Sequence, residues 1–124
     1  MSRKLGFVFP GQGSQSIGML SEHFANSKIF NKIFDIAKEV LGVDFKNLIF
    51  EGTPEDLSAT EVTQPLLLTA NHAIWKTTNI NPSEVELMAG HSLGEYSAYV
   101  AAESLGFEEA LTLVSLRAKF MQEA

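Results

Sequence analysis

Ser92 is the residue from which chemistry is most directly built. It stands in Gly90-His91-Ser92-Leu93-Gly94, immediately after the apolar run EVELMA at 84–89. The pattern is G-x-S-x-G, in which a strand turns so sharply into a helix that small residues must flank the serine, and its hydroxyl stands clear above the sheet. A helix that starts just after Ser92 points free backbone N–H groups at the same spot. The Leu93 N–H therefore suits the oxyanion that forms when Ser92 attacks a carbonyl. A glycine-flanked turn with a capping serine would use the same five residues.

A serine hydroxyl is a weak nucleophile until a base removes its proton, and the usual base is histidine. In enzymes built on this turn the partners follow the serine in the order acid, then histidine. His23, His72 and His91 all precede Ser92, and no histidine follows it. His91 is adjacent, but successive side chains at a strand end point to opposite sides. His72 falls in a helical pattern, where a hydrogen-bonded core residue is expected, and His23 in a polar stretch, where a surface residue is.

The glycine-rich segment FPGQGSQSIG at 9–18 invites a phosphate reading and fails both tests of it. The dinucleotide fingerprint needs glycine where Ser16 stands, and the phosphate loop needs lysine where Met19 stands. What remains is a tight turn at the carboxyl end of a strand, where open α/β sheets bind ligands. If the two strands are neighbours, Gln12 and Ser92 share a rim. Arg117, read as lying near the end of the last helix, suits the helix dipole there.

The elements that must position these groups are few. LGFVF at 5–9, stopped by Pro10, reads as a strand buried on both faces, as in a parallel sheet. Apolar residues from Ile29 to Leu41 recur at steps of three and four before Gly42, the pattern of an amphipathic helix. Thr53-Pro54-Glu55-Asp56 predicts a short capped helix to about Ala59, and Thr63-Gln64-Pro65 predicts the start of a long one running to about Thr78. A loop at 79–83, a strand at 85–89, a helix from Ser92 to about Ser104 and a last helix from Phe107 complete the order. That order predicts an α/β layer protein with parallel strands. Two strands are few for such a sheet, so its edges and apolar helix faces, including Leu66, Leu67, Leu68, Ile74 and Trp75, are expected to be poorly covered.

Composition narrows the class further. The 124 residues are 45% apolar and 19% charged with a net charge of −6, which predicts one globular domain and disfavours nucleic acid or an anionic membrane as partner. Cysteine is absent, which removes disulfides, thiolate metal sites and a cysteine nucleophile, and fits the cytoplasm. No metal site is expected. The N-terminus is too short in apolar residues for a secretory leader, and nowhere do ~18 apolar residues run together.

FVFPGQGSQ, TQPLLLTA, AGHSLGEYSA and LRAKFMQEA, in this order and spacing, resemble the malonyl-CoA:acyl carrier protein transacylase family, which includes the acyltransferase domains of polyketide synthases. The resemblance implies that residues 1–124 are the amino-terminal part of an α/β-hydrolase-like large subdomain, with parallel strands and flanking helices. It implies that a ferredoxin-like subdomain, the carboxyl-terminal part and the catalytic histidine are absent. Ser92 would take malonyl as an ester in fatty acid biosynthesis. Gln12 and the Leu93 N–H would form the oxyanion hole, Arg117 would bind the malonyl carboxylate, and Gln64 and His91 would complete the substrate site. The partners implied are malonyl-CoA and acyl carrier protein, with no cofactor besides the coenzyme A thioester itself. A serine esterase or thioesterase on the same turn, or a non-catalytic remnant, are the alternatives. Alone, the chain is expected to lack transacylase activity and to aggregate or dimerise.

Overall fold

Leu5–Phe9 (β1) and Val85–Gly90 (β2) pair in parallel, with Phe7 opposite Met88, Val8 opposite Ala89 and Phe9 opposite Gly90; the register shifts between Leu5 and Gly6. The computed structural model describes residues 5–11, 13, 15–16 and 18–124. Around the two strands lie α1 (Ser21–Asn26), α2 (Lys28–Leu41), α3 (Phe45–Glu51), α4 (Pro54–Ser58), α5 (Thr60–Thr78), α6 (Leu93–Ala101) and α7 (Phe107–Glu123). The architecture is mixed α/β, with a two-stranded parallel sheet and flanking helices, as the order of elements predicts. One turn of 3₁₀ helix, Pro82–Glu84, leads into β2.

Local chemistry sets most element ends. The Ser27 hydroxyl accepts from the Phe30 N–H at 3.1 Å to open α2, and Gly42, at φ 72°, closes it. At α4, Thr53 and Asp56 cap each other's backbone N–H groups, at 3.1 and 3.0 Å, with Pro54 at the first helical position. The long helix α5 begins at Thr60, not at Pro65. Its first turn closes through the Val62 and Thr63 N–H groups on the Ala59 carbonyl, and the Thr63 hydroxyl donates to the carbonyls of Leu57 and Ala59. Pro65 therefore lies inside a turn already formed. Helix α6 ends at Ala101, short of Ser104, because Glu103 takes the left-handed conformation at φ 64°.

Two helices lie where the sequence shows no clear periodicity, α1 and α3. Phe24 of α1 holds its place by edge-to-face contacts with Phe30, Phe34 and Phe50 at 4.7–5.4 Å between centroids. The amide of Asn31 ties α1 to α2 by donating to the carbonyls of Phe24 and Ser27. His23 is half-buried and stacked on Phe30, not a surface residue.

The core forms around α5. Leu66, Leu67, Leu68 and Trp75 are buried and Ile74 partly so, covered by α2, α6 and α7, which corrects the expectation that these faces lie bare. A smaller cluster of Phe9, Trp75, Ala98 and Ala101 seats one face of the sheet. The other face is open, with Val8 78% and Leu87 66% exposed, and so is the outer face of α7 at Leu113, Leu116 and Phe120. Among the described residues no helix is long and apolar enough to cross a membrane.

His72, on α5, is stacked on Phe107 at 4.4 Å, is 8% exposed, and its Nδ1 has no partner among the described residues. This departs from the hydrogen-bonded core histidine that the sequence predicts. Burial, and then the nearby Lys76 charge, lower its pKa from 6.5 to about 4. The folded protein holds a neutral ring, whereas the unfolded chain protonates at about its ordinary pKa, so stability is full above pH 6.5 and falls as the pH drops towards 4. Across that window the wild type is expected to lose about 3 kcal/mol more than His72→Leu. Urea midpoints at pH 7 and pH 4 check this; equal losses in the two proteins would contradict it.

Candidate active site

Both strands deliver their carboxyl ends to one rim. The His91 N–H donates to the Phe9 carbonyl at 3.4 Å, the chain reverses at Ser92, and α6 begins at Leu93. Ser92 takes φ 55° and ψ −112°, a backbone conformation costly for any residue with a side chain. The Gly94 N–H donates to the His91 carbonyl at 3.0 Å and the Glu95 N–H to the Ser92 carbonyl at 3.1 Å, so the reversal becomes the first turn of α6.

The flanking glycines are needed for space. A Cβ on Gly90 would overlap the Gly94 backbone, and one on Gly94 would overlap the Phe9 carbonyl. Behind the turn, Leu93 is buried in the main core, and the Asn71 amide of α5 donates to the Ser97 hydroxyl at 3.0 Å and the Pro10 carbonyl at 3.2 Å. Helix α5 is thereby tied to α6 and to the end of β1.

The Ser92 side chain is exposed, and its Oγ accepts from Nη2 of Arg117 at 3.2 Å. Arg117 Nη1 donates to Gln64 Oε1 at 2.5 Å, and Gln64 Nε2 donates to Met121 Sδ at 3.2 Å. The guanidinium also lies over the Tyr96 ring, 5.5 Å from its centroid. Helix α7 runs on to Glu123, so Arg117 is not in its last turn and the dipole reading fails. It points instead from beside the buried stripe Ala110, Val114 and Ala118 towards α5 and Ser92.

The sequence candidates divide accordingly. Ser92, Arg117 and Gln64 meet through direct hydrogen bonds, although they lie on three different elements. Leu93 places its N–H at the start of α6, and among the described residues that N–H has no partner. His91 is exposed, with its ring beside Gly11: a Cβ there would stand 3.9 Å from His91 Nδ1 and 2.6 Å from its carbonyl oxygen. Gln12 lies outside the described residues. Among the described residues, Arg117 is the side chain bonded to Ser92 Oγ, and no histidine is. No group of three or more His, Cys, Asp or Glu side chains is placed to hold a metal among those residues either.

Sequence reasoning did not single out Asn71, Tyr96 or Met121. Tyr96 lies inside the AGHSLGEYSA motif, and Met121 is one helical turn after Arg117; those spacings were the available signals. Chemically, the site offers an exposed hydroxyl, the helix-start N–H of Leu93 and a cation that can receive an acid group.

Residues 6–124 match the model of the acyl transferase domain family, and the chain belongs to that family. It is 50% identical to the malonyl CoA-acyl carrier protein transacylase of Salmonella typhimurium strain LT2, over 98% of this chain and 40% of the relative. It is 46% identical to the Bacillus subtilis protein of the same name, over 98% of this chain and 38% of the relative. Among solved structures, the transacylase of Coxiella burnetii superposes with a TM-score of 0.92 at 45% identity, covering 99% of this chain and 39% of that one. A malonyl-transacylase in complex with its type II PKS acyl-carrier protein superposes with a TM-score of 0.91 at 44% identity, covering 98% and 40%. The chain thus spans about two fifths of the length of the curated relatives it matches.

The crowded crossing makes a direct prediction. Alanine favours a helix over glycine by about 1 kcal/mol, yet Gly94→Ala is expected to lower the melting temperature by several degrees, because its methyl group collides with the Phe9 carbonyl. A raised melting temperature would show that the strand end and α6 do not approach so closely.

Proposed function

We propose that this chain carries the nucleophile and the acid-recognition arm of a malonyl-CoA:acyl carrier protein transacylase of fatty acid biosynthesis. The observation that carries the reading is the Arg117 guanidinium bonded to Ser92 Oγ at 3.2 Å. A positive charge fixed beside a nucleophile suits an acyl group whose far end is a carboxylate. A serine esterase on the same turn, acting on neutral acyl groups, would have no use for it.

In the proposed reaction, Ser92 Oγ attacks the thioester carbonyl carbon of malonyl-CoA and gives its proton to a general base. The C–S bond then breaks, and coenzyme A leaves as the thiol with that proton. The negative charge on the carbonyl oxygen is met by the Leu93 N–H, with Gln12 as the second donor. The phosphopantetheine thiol of acyl carrier protein attacks the seryl ester in the reverse sequence, leaving malonyl on the carrier and Ser92 free. Arg117 accepts hydrogen bonds from nothing, so it contacts Oγ as a donor and leaves the serine proton for the base. The base is assigned to a residue of the polypeptide outside positions 1–124, a reading supported by His23 and His72, which pack on Phe30 and Phe107, and by His91, which lies beside Gly11. His91 is assigned to the substrate rim.

The fold is read as part of an α/β-hydrolase-like large subdomain, with the ferredoxin-like subdomain elsewhere in the polypeptide. No cofactor is required beyond the thioester substrate, and the absence of cysteine supports a cytoplasmic setting.

A fusion of this chain to the remaining three fifths of the Salmonella typhimurium relative provides the test. Ser92→Ala is expected to abolish both radiolabelled malonyl transfer and the covalent acyl-protein; a variant that still acylates would end the proposal. Arg117→Ala is expected to lower kcat/KM for malonyl-CoA by roughly 10- to 100-fold, the cost of losing a hydrogen bond to a charged group, and that for acetyl-CoA far less. Equal falls for both substrates would make Arg117 structural.

A further inference from the structure

We propose that Gln64 is a positioning residue that sets the acid selectivity of the site by fixing which edge of Arg117 faces Ser92. The inference rests on the malonyl reading of Arg117 above. Gln64 is 1% exposed, the most deeply buried polar side chain of the site, on the helix that also buries Leu66, Leu67 and Leu68. A polar amide at such a place is costly unless both of its ends are bonded. Both are: Oε1 accepts from Arg117 Nη1 at 2.5 Å and Nε2 donates to Met121 Sδ at 3.2 Å.

The two partners also dictate the orientation of the amide. Arginine has only donors, and a thioether sulfur can only accept. A flipped amide would set donor against donor at Arg117 and acceptor against acceptor at Met121. Arg117 and Met121 stand one turn apart on α7, so Gln64 clasps that turn from α5. One edge of the guanidinium is thereby turned inward, and the other is left at Ser92 Oγ. Without the clasp, a long arginine side chain regains its rotamer freedom, and ordering it again on the ligand opposes binding. The expected consequence appears in the malonyl-CoA KM and the malonyl-to-acetyl preference.

The test uses the fusion protein with Gln64→Met, which fills the same space but offers Arg117 only the weak acceptor of a thioether and offers Met121 no donor. A second variant, Met121→Leu, removes only the far anchor at a half-exposed position that does not endanger the fold. The first readout is the ¹⁵N side-chain signal of Arg117, identified by its loss in Arg117→Lys. It is expected to be sharp in the wild type, averaged in Gln64→Met, and intermediate in Met121→Leu. The second is selectivity: Gln64→Met is expected to lower the malonyl-to-acetyl ratio of kcat/KM by about tenfold, mainly through the malonyl KM, with Met121→Leu shifting the same way by less. An unchanged Arg117 signal in both variants, or an unchanged ratio accompanied only by lost stability, would overturn the proposal. If the wild-type fusion transfers no malonyl, the functional reading fails, and the Arg117 signal still decides whether Gln64 holds the guanidinium.

Discussion

Two strand ends and a helix start cross at the rim of the sheet with backbone against backbone, and the rest of the site depends on that crossing. Gly90 meets Gly94, and Gly94 meets the Phe9 carbonyl, at separations no Cβ could enter. The chain can reverse there only by forcing Ser92 to positive φ, a strain of about 1–3 kcal/mol. The surroundings offset it. Leu93 is locked in the core, and Asn71 clips α5 to both α6 and the loop after β1. The result is a serine that faces solvent beside the Leu93 N–H at the start of a new helix, an N–H without a partner among the described residues.

The second requirement is a charge held beside that serine, and α5 supplies it indirectly. Packed by α2, α6 and α7, α5 is a rod whose position is over-determined by Leu66, Leu67 and Leu68. A rigid rod can carry a buried amide without losing its own place. Through Gln64 it turns the half-buried guanidinium of α7 towards a residue 25 positions away in sequence. The apolar core and the polar clasp are thus parts of one arrangement, in which the leucines fix the helix and the amide fixes the arginine.

Some of this was legible before any coordinates. G-x-S-x-G declares the crossing because each glycine answers a steric demand of the backbone itself, and the caps at Ser27 and Thr53 declare helix starts in the same local way. What escaped was tertiary. The helices α1 and α3, of six and seven residues, are too short to display a period, and they exist because Phe24, Phe45 and Ile49 have a core to enter. Pro65 reads as a helix start, yet the turn before it is closed by bonds to Ala59 and by the Thr63 hydroxyl. Trp75 and its leucine neighbours read as poorly covered because the strands and helices that cover them come from distant sequence. The apolar surface that is open lies on Val8, Leu87 and the outer face of α7. The role proposed for Arg117 came from the family resemblance; its bonds to Gln64 and Ser92 required the fold.

The central claim is that a single crossing and a single clasp prepare Ser92 for an acyl group ending in a carboxylate. The most direct measurement is a crystal structure of the fusion protein acylated with malonyl-CoA. The account predicts an ester on Ser92 Oγ, its carbonyl oxygen on the Leu93 N–H, and the free carboxylate on Arg117, with Gln64 still bonded to the opposite edge of the guanidinium. An acyl group on another residue, or a malonyl carboxylate directed away from Arg117, would contradict it.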